Sequence, residues 1–299
     1  MNENYTVIRS SNEAITRLQE KRNAAGKSML FVLLGAFFLI IPPIGLILIF
    51  IGYMKVQNAR KEMPGLYKDA FVREPLQNNF ENVIYEPNQG FTEENVKNFG
   101  LCQTANCFWS EDYIRAMYQG VNFEVAEVRV VDVDHSSDSN RSVTYFEGRM
   151  MVFNFPNKLV NTVTVFSRKF KHRAMSRAEA KDTKVELEDM QFNNLFDVYS
   201  TLQQDAFYLI TPHMMERMQV LAGKYESIAM RVVGNRVVLA FNEPGKNVFD
   251  QNIDVGKLDI DQEMAKVQGE IDDIKLFISA ILNLKPNAYV MPAEYLSNT

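Results

Sequence analysis

Two stretches decide the fold: Asn122–His135, NFEVAEVRVVDVDH, and Val143–Pro156, VTYFEGRMMVFNFP. In the first, Phe123, Val125, Val128, Val130 and Val133 keep a period of two with one slip of phase, the pattern of a strand carrying a bulge. The polar HSSDSNRS (135–142) joins it to the second, so the pair predicts a long antiparallel hairpin. Period-two patterning holds from Tyr113 to about Val165, where NTVTVF (161–166) supplies a further strand. A second hairpin is expected where IAMRVV (228–233) and RVVLAF (236–241) flank Gly234-Asn235, a pair suited to a primed turn.

Around these strands the period changes to that of helices. Residues 10–25 predict a short amphipathic helix, with Ser10 and Glu13 at capping-box spacing and Ile15 and Leu18 on its apolar side. MKVQNARKEM (54–63) and then 65–85 read as mainly helical, with an interruption expected at Pro75. DMQFNNLF (189–196) and TPHMMERMQVLAGKY (211–225) read as helices, the latter with Thr211 as N-cap and Pro212 at the first position. Finally, Ile260, Met264, Val267, Ile271, Ile274, Ile278 and Ile281 form a heptad seam within 259–285. That helix either docks on its own domain, with Leu276, Phe277 and Leu282 widening the apolar face, or pairs with a second copy as a coiled-coil homodimer. The composite is an α+β fold in which a mainly antiparallel sheet packs with helices.

Ahead of this lies a run without a single charge between Lys27 and Lys55. Met29–Ile51 is long enough to cross a bilayer core once, which takes about 20 residues. Pro42-Pro43 at its centre removes two donors, so the anchor is either one kinked helix or a hairpin turning at Pro42 and Pro43. Arg17, Lys21, Arg22 and Lys27 before it nearly balance Lys55, Arg60, Lys61, Lys68 and Arg73 after it, which suits a hairpin with both ends on one side. No small-x-small site follows the run, against a cleaved signal peptide. The expected organisation is therefore an amphipathic segment at 1–27, the membrane helix or hairpin at 28–54, a helical connector at 55–85 and an α+β domain at 86–299.

Composition excludes more than it assigns. A net charge of −5 with mixed signs carries no nucleic-acid signal. Cys102 and Cys107, the two cysteines, lack a second pair or a nearby His and read as structural thiols rather than zinc ligands. No nucleotide, metalloprotease or hydrolase fingerprint occurs, and neither metal nor cofactor is expected.

VELEDMQFNNLFDVYSTLQQDAFYLITPHMMERM (185–218) resembles the signature of an uncharacterised bacterial membrane-protein family, domain of unknown function 3137 (DUF3137). The resemblance rests on Leu187, Glu188, Asp189, Phe192, Phe196, Val198, Tyr199, Ala206, Tyr208, Leu209, Thr211, Pro212, Met215 and Glu216. Weaker matches at Asp112-Tyr113, Gly120-Val121, Phe123, Phe146-x-Gly148, Phe153 and Phe155 extend it over roughly residues 65–245. It implies hydrophobic N-terminal segments and a cytoplasmic-side α+β domain, favours the hairpin anchor, and places the protein in a bacterial inner membrane. It also implies an acidic residue where Leu202 stands and an Arg where Phe207 stands, so a polar site there would be partly lost.

Local chemistry offers few candidates. Asp132, Asp134, Ser136, Asp138 and Asn140 alternate like a calcium loop but lack its Gly and Glu, which marks a solvated hairpin tip. His135, His172 and His213 have no partner at ligand spacing. The acids Glu186, Glu188, Asp189, Asp197 and Asp205 could serve a membrane-bound hydrolase or other enzyme. The strongest feature is SRKFKHRAMSRAEAKDTK (167–184), which holds Arg168, Lys169, Lys171, Arg173, Arg177, Lys181 and Lys184. Beside an anionic leaflet each such cation adds about 1 kcal/mol of attraction, so this run is the candidate contact for membrane or partner. The expectation is a non-enzymatic, membrane-anchored interaction module facing a protein or lipid partner. The acid-based enzyme is the alternative.

Overall fold

In the computed structural model, β3 (Val121–Asp134) and β4 (Arg141–Asn154) form the long antiparallel hairpin. Its register slips between Val130 and Val131, within the apolar run whose phase changes. The structure describes residues 15–30, 50–58, 65–134, 141–246, 249 and 259–282. β8 (Ser227–Gly234) and β9 (Arg236–Asn242) make the second hairpin. Its turn takes φ +65° at Gly234, the positive value a type II′ turn needs at its first central residue.

β9 then pairs with β4, and β8 with β5 (Val160–Ser167), so this hairpin lies between the two halves of the sheet. With β1 (Glu81–Glu86), β2 (Cys107–Tyr118), β6 (Lys184–Val185) and β7 (Phe196–Ser200), the nine strands run in the order β1-β2-β3-β4-β9-β8-β5-β7-β6. Each pairing from β3 through β6 is antiparallel, and the fold is α+β.

The helices are α1 (15–30), α2 (50–58), a π-helical stretch Lys68–Arg73 running into α3 (Glu74–Asn79), α4 (Glu93–Phe99), α5 (Arg177–Thr183), α6 (Met190–Leu195), α7 (Gln203–Leu209), α8 (Pro212–Lys224) and α9 (Ile260–Leu282). Three expectations are corrected. The helix predicted over 65–85 stops at Asn79, because Phe80 turns extended (φ −134°, ψ 159°) and leads into the strand β1 at 81–86. Pro75 does not interrupt the helix. It sits in the first turn of α3, and the π-helical stretch before it, closed by Glu74 N–H to the Asp69 carbonyl, reduces the demand for the missing donor. The predicted helix 189–196 ends at Leu195, because Phe196 pairs with Ser167 as the start of β7.

By contacts the chain divides into two compact units. The first comprises 1–89, 112–116 and 245–271, and the second 90–111, 117–244 and 272–299. In the first, Leu18 of α1 is fully buried with Tyr67, Ala70 and Phe71, with Ile15, Leu66 and Ile260 at the margin. The Tyr67 hydroxyl donates to the Glu263 carboxylate there. In the second, the rings of Phe123, Phe153 and Phe277 pack in sequence, tilted by 34° and 41° at 6.1 and 5.1 Å between centroids.

Along α9, Val267, Ile271, Ile274, Ile278 and Ile281 are buried within the chain itself, while Met264 is exposed. Phe277 is buried but Leu276 and Leu282 are exposed, so the apolar face is narrower than the sequence implies. Ser10, Glu13, residues 31–49 with Pro42 and Pro43, and the hairpin tip 135–140 lie outside the described residues. Among the described residues no helix is long and apolar enough to cross a membrane.

Candidate interaction surface

The basic run 168–184 begins where β5 ends. Arg168 N–H donates to the Leu195 carbonyl at 2.9 Å, which holds the turn after β5 against the last residue of α6. Strand β6 returns the other end of the run, because Lys184 pairs with Tyr199 of β7. Asp197, also on β7, becomes the centre: Arg173 Nη1 reaches its carboxylate at 2.9 Å, Lys184 Nζ at 3.5 Å and Arg168 Nε at 3.7 Å. The Asp197 carboxylate is largely covered, at 15% exposure, and so is Arg173, whereas Arg168 and Lys184 are about half in water and their pairs contribute only about 0–1 kcal/mol.

Arg173 differs from its neighbours. Its Nε donates to the Phe170 carbonyl and its Nη2 to the Ser167 carbonyl, both at 3.0 Å, and its guanidinium lies 5.0 Å from the Phe166 ring centroid. Nη1 also donates to the Tyr199 hydroxyl at 3.2 Å. Its planar fork therefore pins the turn to the sheet. Backbone bonds continue the job, with Ala174 N–H to the Leu101 carbonyl and Gln103 N–H to the His172 carbonyl. Lys169, Lys171 and Lys181 are exposed. Arg177 opens α5, and its side chain lies outside the described set. Ser176 caps α5 through a reciprocal box with Glu179. The Ser176 backbone N–H, followed by its side chain, holds the Glu179 carboxyl below the usual carboxylate range.

The signature residues 187–212 serve the scaffold. Asn193 bonds both the amide and the carbonyl of Leu187, and Asp189 accepts from Phe192 N–H as the cap of α6. Phe192 and Phe196 stack at 4.6 Å, and Ser200 Oγ donates to the Thr162 carbonyl and accepts from Leu202 N–H. Asp205 accepts from the backbone and side-chain amides of Asn161, both at 3.0 Å. Thr211 caps α8 with Pro212 in its first turn, as the sequence predicts. Of the acids weighed for catalysis, Asp189, Asp197 and Asp205 are thus occupied separately, while Glu186 and Glu188 are exposed. Leu202 and Phe207 are both exposed.

His172 stacks on Tyr145 at 4.2 Å, and His213 is exposed at the start of α8, while His135 lies outside the described residues. The Tyr145 hydroxyl is raised above its ordinary pKa by desolvation first and by Asp132 second. Both cysteines are free thiols, and burial pushes Cys102 up to about 12. Among the described residues no group of three or more His, Cys, Asp or Glu side chains could hold a metal ion.

Sequence reading missed two buried charge clusters. In the second unit, Arg149 on β4 is fully buried, with Nη2 2.8 Å from Glu243, Nη1 3.6 Å from Glu127 and the Tyr225 ring centroid 5.5 Å away. In the first, Asp112 is buried at φ 56°, accepting from Lys68 Nζ at 2.8 Å and from the Tyr85 hydroxyl at 2.6 Å. The available signal was Arg149 in the apolar run FEGRMMVF.

Residues 144–285 match the model of a family described as a protein of unknown function, DUF3137. The match takes in the signature and α9 and leaves out the weaker positions at 112–123. No curated protein matches the chain. A weak likeness exists to the crystal structure of the mycobacterial trehalose monomycolate transport factor A, TtfA. It has 10% identity and a TM-score of 0.38, covering 75% of this chain and 96% of that one.

Proposed function

We propose, from the premise that residues 144–285 of this chain belong to the DUF3137 family, that the protein is a membrane-anchored, non-enzymatic interaction module. In this reading the uncharged sequence between Lys27 and Lys55 is the anchor, the near balance of cations on its flanks supports a hairpin with both ends on the cytoplasmic side, and the family resemblance supports a bacterial inner membrane. The observation that carries the module reading is the division of labour around Asp197. Arg173 is committed to the turn, while Lys169, Lys171 and Lys181 stay exposed for an anionic partner. The hydrolase reading is weakened by the same geometry, because Asp189 caps a helix, Asp205 holds Asn161 and Asp197 receives three cations.

Carbonate washing of membranes that contain the full chain tests the anchor. The chain is expected to stay in the pellet, and its release into solution without detergent overturns the reading. Protease accessibility in sealed vesicles then decides the path of the chain. Both ends respond alike if the anchor is a hairpin, and one end alone is protected if it is a single span.

A further inference from the structure

We infer that the two flanks of the uncharged run are clasped together on one face of the bilayer, so that the chain leaves the membrane through the face it entered. This deepens the anchored-module reading and rests on it for the presence of a bilayer. Flanking charge favours such a path, and packing between the flanks requires it. Leu18 of α1 precedes the run and Tyr67, Ala70 and Phe71 follow it, yet all four are buried in one cluster, with Ile15 and Leu66 at its margin. The Tyr67 and Phe71 rings stack at 5.0 Å between centroids, which makes one apolar surface of the two. Side chains that share a core approach to within about 4.5 Å. A single crossing would hold the flanks apart by the whole hydrocarbon layer, about 30 Å. The two arrangements exclude each other.

Neither flank can close that gap by entering the hydrocarbon itself. α1 carries Arg17, Glu20, Lys21, Arg22 and Lys27, and the helical stretch after the run carries Lys68, Asp69, Arg73 and Glu74. Arg17, Glu20, Lys21, Lys27 and Asp69 are exposed, and charged side chains turned toward lipid tails are strongly disfavoured. Apolar exposure begins instead at the end of α1, with Met29 at 61% and Leu30 at 59%, and resumes with Phe50 and Ile51 at the start of α2. Leu18 stands about 17 Å back from Met29 along α1, so the clasp lies on the aqueous side of that apolar boundary. The first turn of α9 closes it: Ile260 packs at the margin of the cluster and the Tyr67 hydroxyl donates to Glu263. The start of α9 therefore shares the same face.

The test uses the full chain in sealed, inverted membrane vesicles and a maleimide too polar to cross a bilayer. Cys107→Ser removes the partly exposed thiol, and Cys102 is buried, so this background is quiet. Gln19→Cys then places a reporter on α1 and Asn78→Cys places one on α3, both at exposed positions. The two thiols are expected to react equally, and to the same extent before and after detergent opens the vesicles. One thiol that reacts at once while the other waits for detergent overturns the inference. Two thiols that both wait support the shared face and sink the cytoplasmic assignment alone. Circular dichroism of the purified variants confirms that each is folded. Carbonate extraction of the same vesicles separates the outcomes. Split labelling on a chain that stays in the pellet sinks the clasp and spares the anchor. A chain that washes off sinks the anchor, and the inference falls with it.

Discussion

Replacing Gly148 with alanine is the sharpest trial of the β4–β9 register. Gly148 lies at φ +153° opposite Asn242, and a Cβ there would sit 2.1 Å from the Phe241 carbonyl oxygen and 3.0 Å from the Glu243 amide. Both neighbours are backbone, so neither can swing aside as a side chain would. The strands must part by about an ångström, and overpacking of this kind costs about 1–3 kcal/mol. Two bonds flank the contact: Glu243 N–H to the Glu147 carbonyl at 2.8 Å, and Glu147 N–H to Asn242 Oδ1 at 2.9 Å. Losing them adds about 1 kcal/mol each, for a total of about 3–5 kcal/mol. For a body of this size that is a fall in Tm on the order of 10 °C, read by circular dichroism on the detergent-solubilised chain. Gly223→Ala is the control, since nothing lies within 4 Å of its added Cβ and a helical alanine stabilises by up to about 1 kcal/mol. A Gly148→Ala protein that melts within 2 °C (roughly 0.5–1 kcal/mol) of the parent refutes the register argument.

Two further outcomes follow from the site. Arg173→Ala removes a guanidinium that bonds two carbonyls and Asp197, so urea unfolding is expected to lose about 3 kcal/mol, whereas the exposed Lys169→Ala stays within about 0.5 kcal/mol; equal losses would contradict the pinning role. The Cys102 thiol, raised to about 12 by burial from an unfolded value of 9.0, stays protonated in the native state while the unfolded chain ionises. Its contribution is therefore full below pH 9 and declines as pH rises toward 12, at up to about 1.4 kcal/mol per pH unit. Unfolding at pH 7 and pH 10, compared between the parent and Cys102→Ala, should show that extra decline only in the parent, and a parallel pair of profiles would exclude it.

The strands that sequence patterning revealed are those whose neighbours are close along the chain. β3 with β4, and β8 with β9, carry period-two alternation on both arms and polar or glycine turns between them. β1 and β7 were hidden because each is short and follows directly on a helix, and β7 owes its existence to pairing with the distant β5. Thr211-Pro212 identified its helix start through local chemistry, which needs no tertiary partner. The basic run was visible as composition. That Asp197 would collect three of its cations was not, because β7 and the β6 pairing bring them together only in the fold. Arg149 escaped for the opposite reason. One charge in an alternating strand reads as a solvent position until Glu127 and Glu243 arrive from two other strands.

The sheet order also constrains how the chain is made. β4 acquires its second neighbour only when β9 arrives, and β5 is joined to that half of the sheet only through β8. At about 5–20 residues per second, synthesis from Asn154 to Asn242 takes on the order of ten seconds. Throughout that interval the nascent β3–β4 hairpin presents an open backbone edge beside Met150, Met151, Val152 and Phe153. Release of the ribosome's product before β9 is made would leave that adhesive edge permanently uncovered, and truncated chains ending near Phe155 should aggregate where the complete one does not.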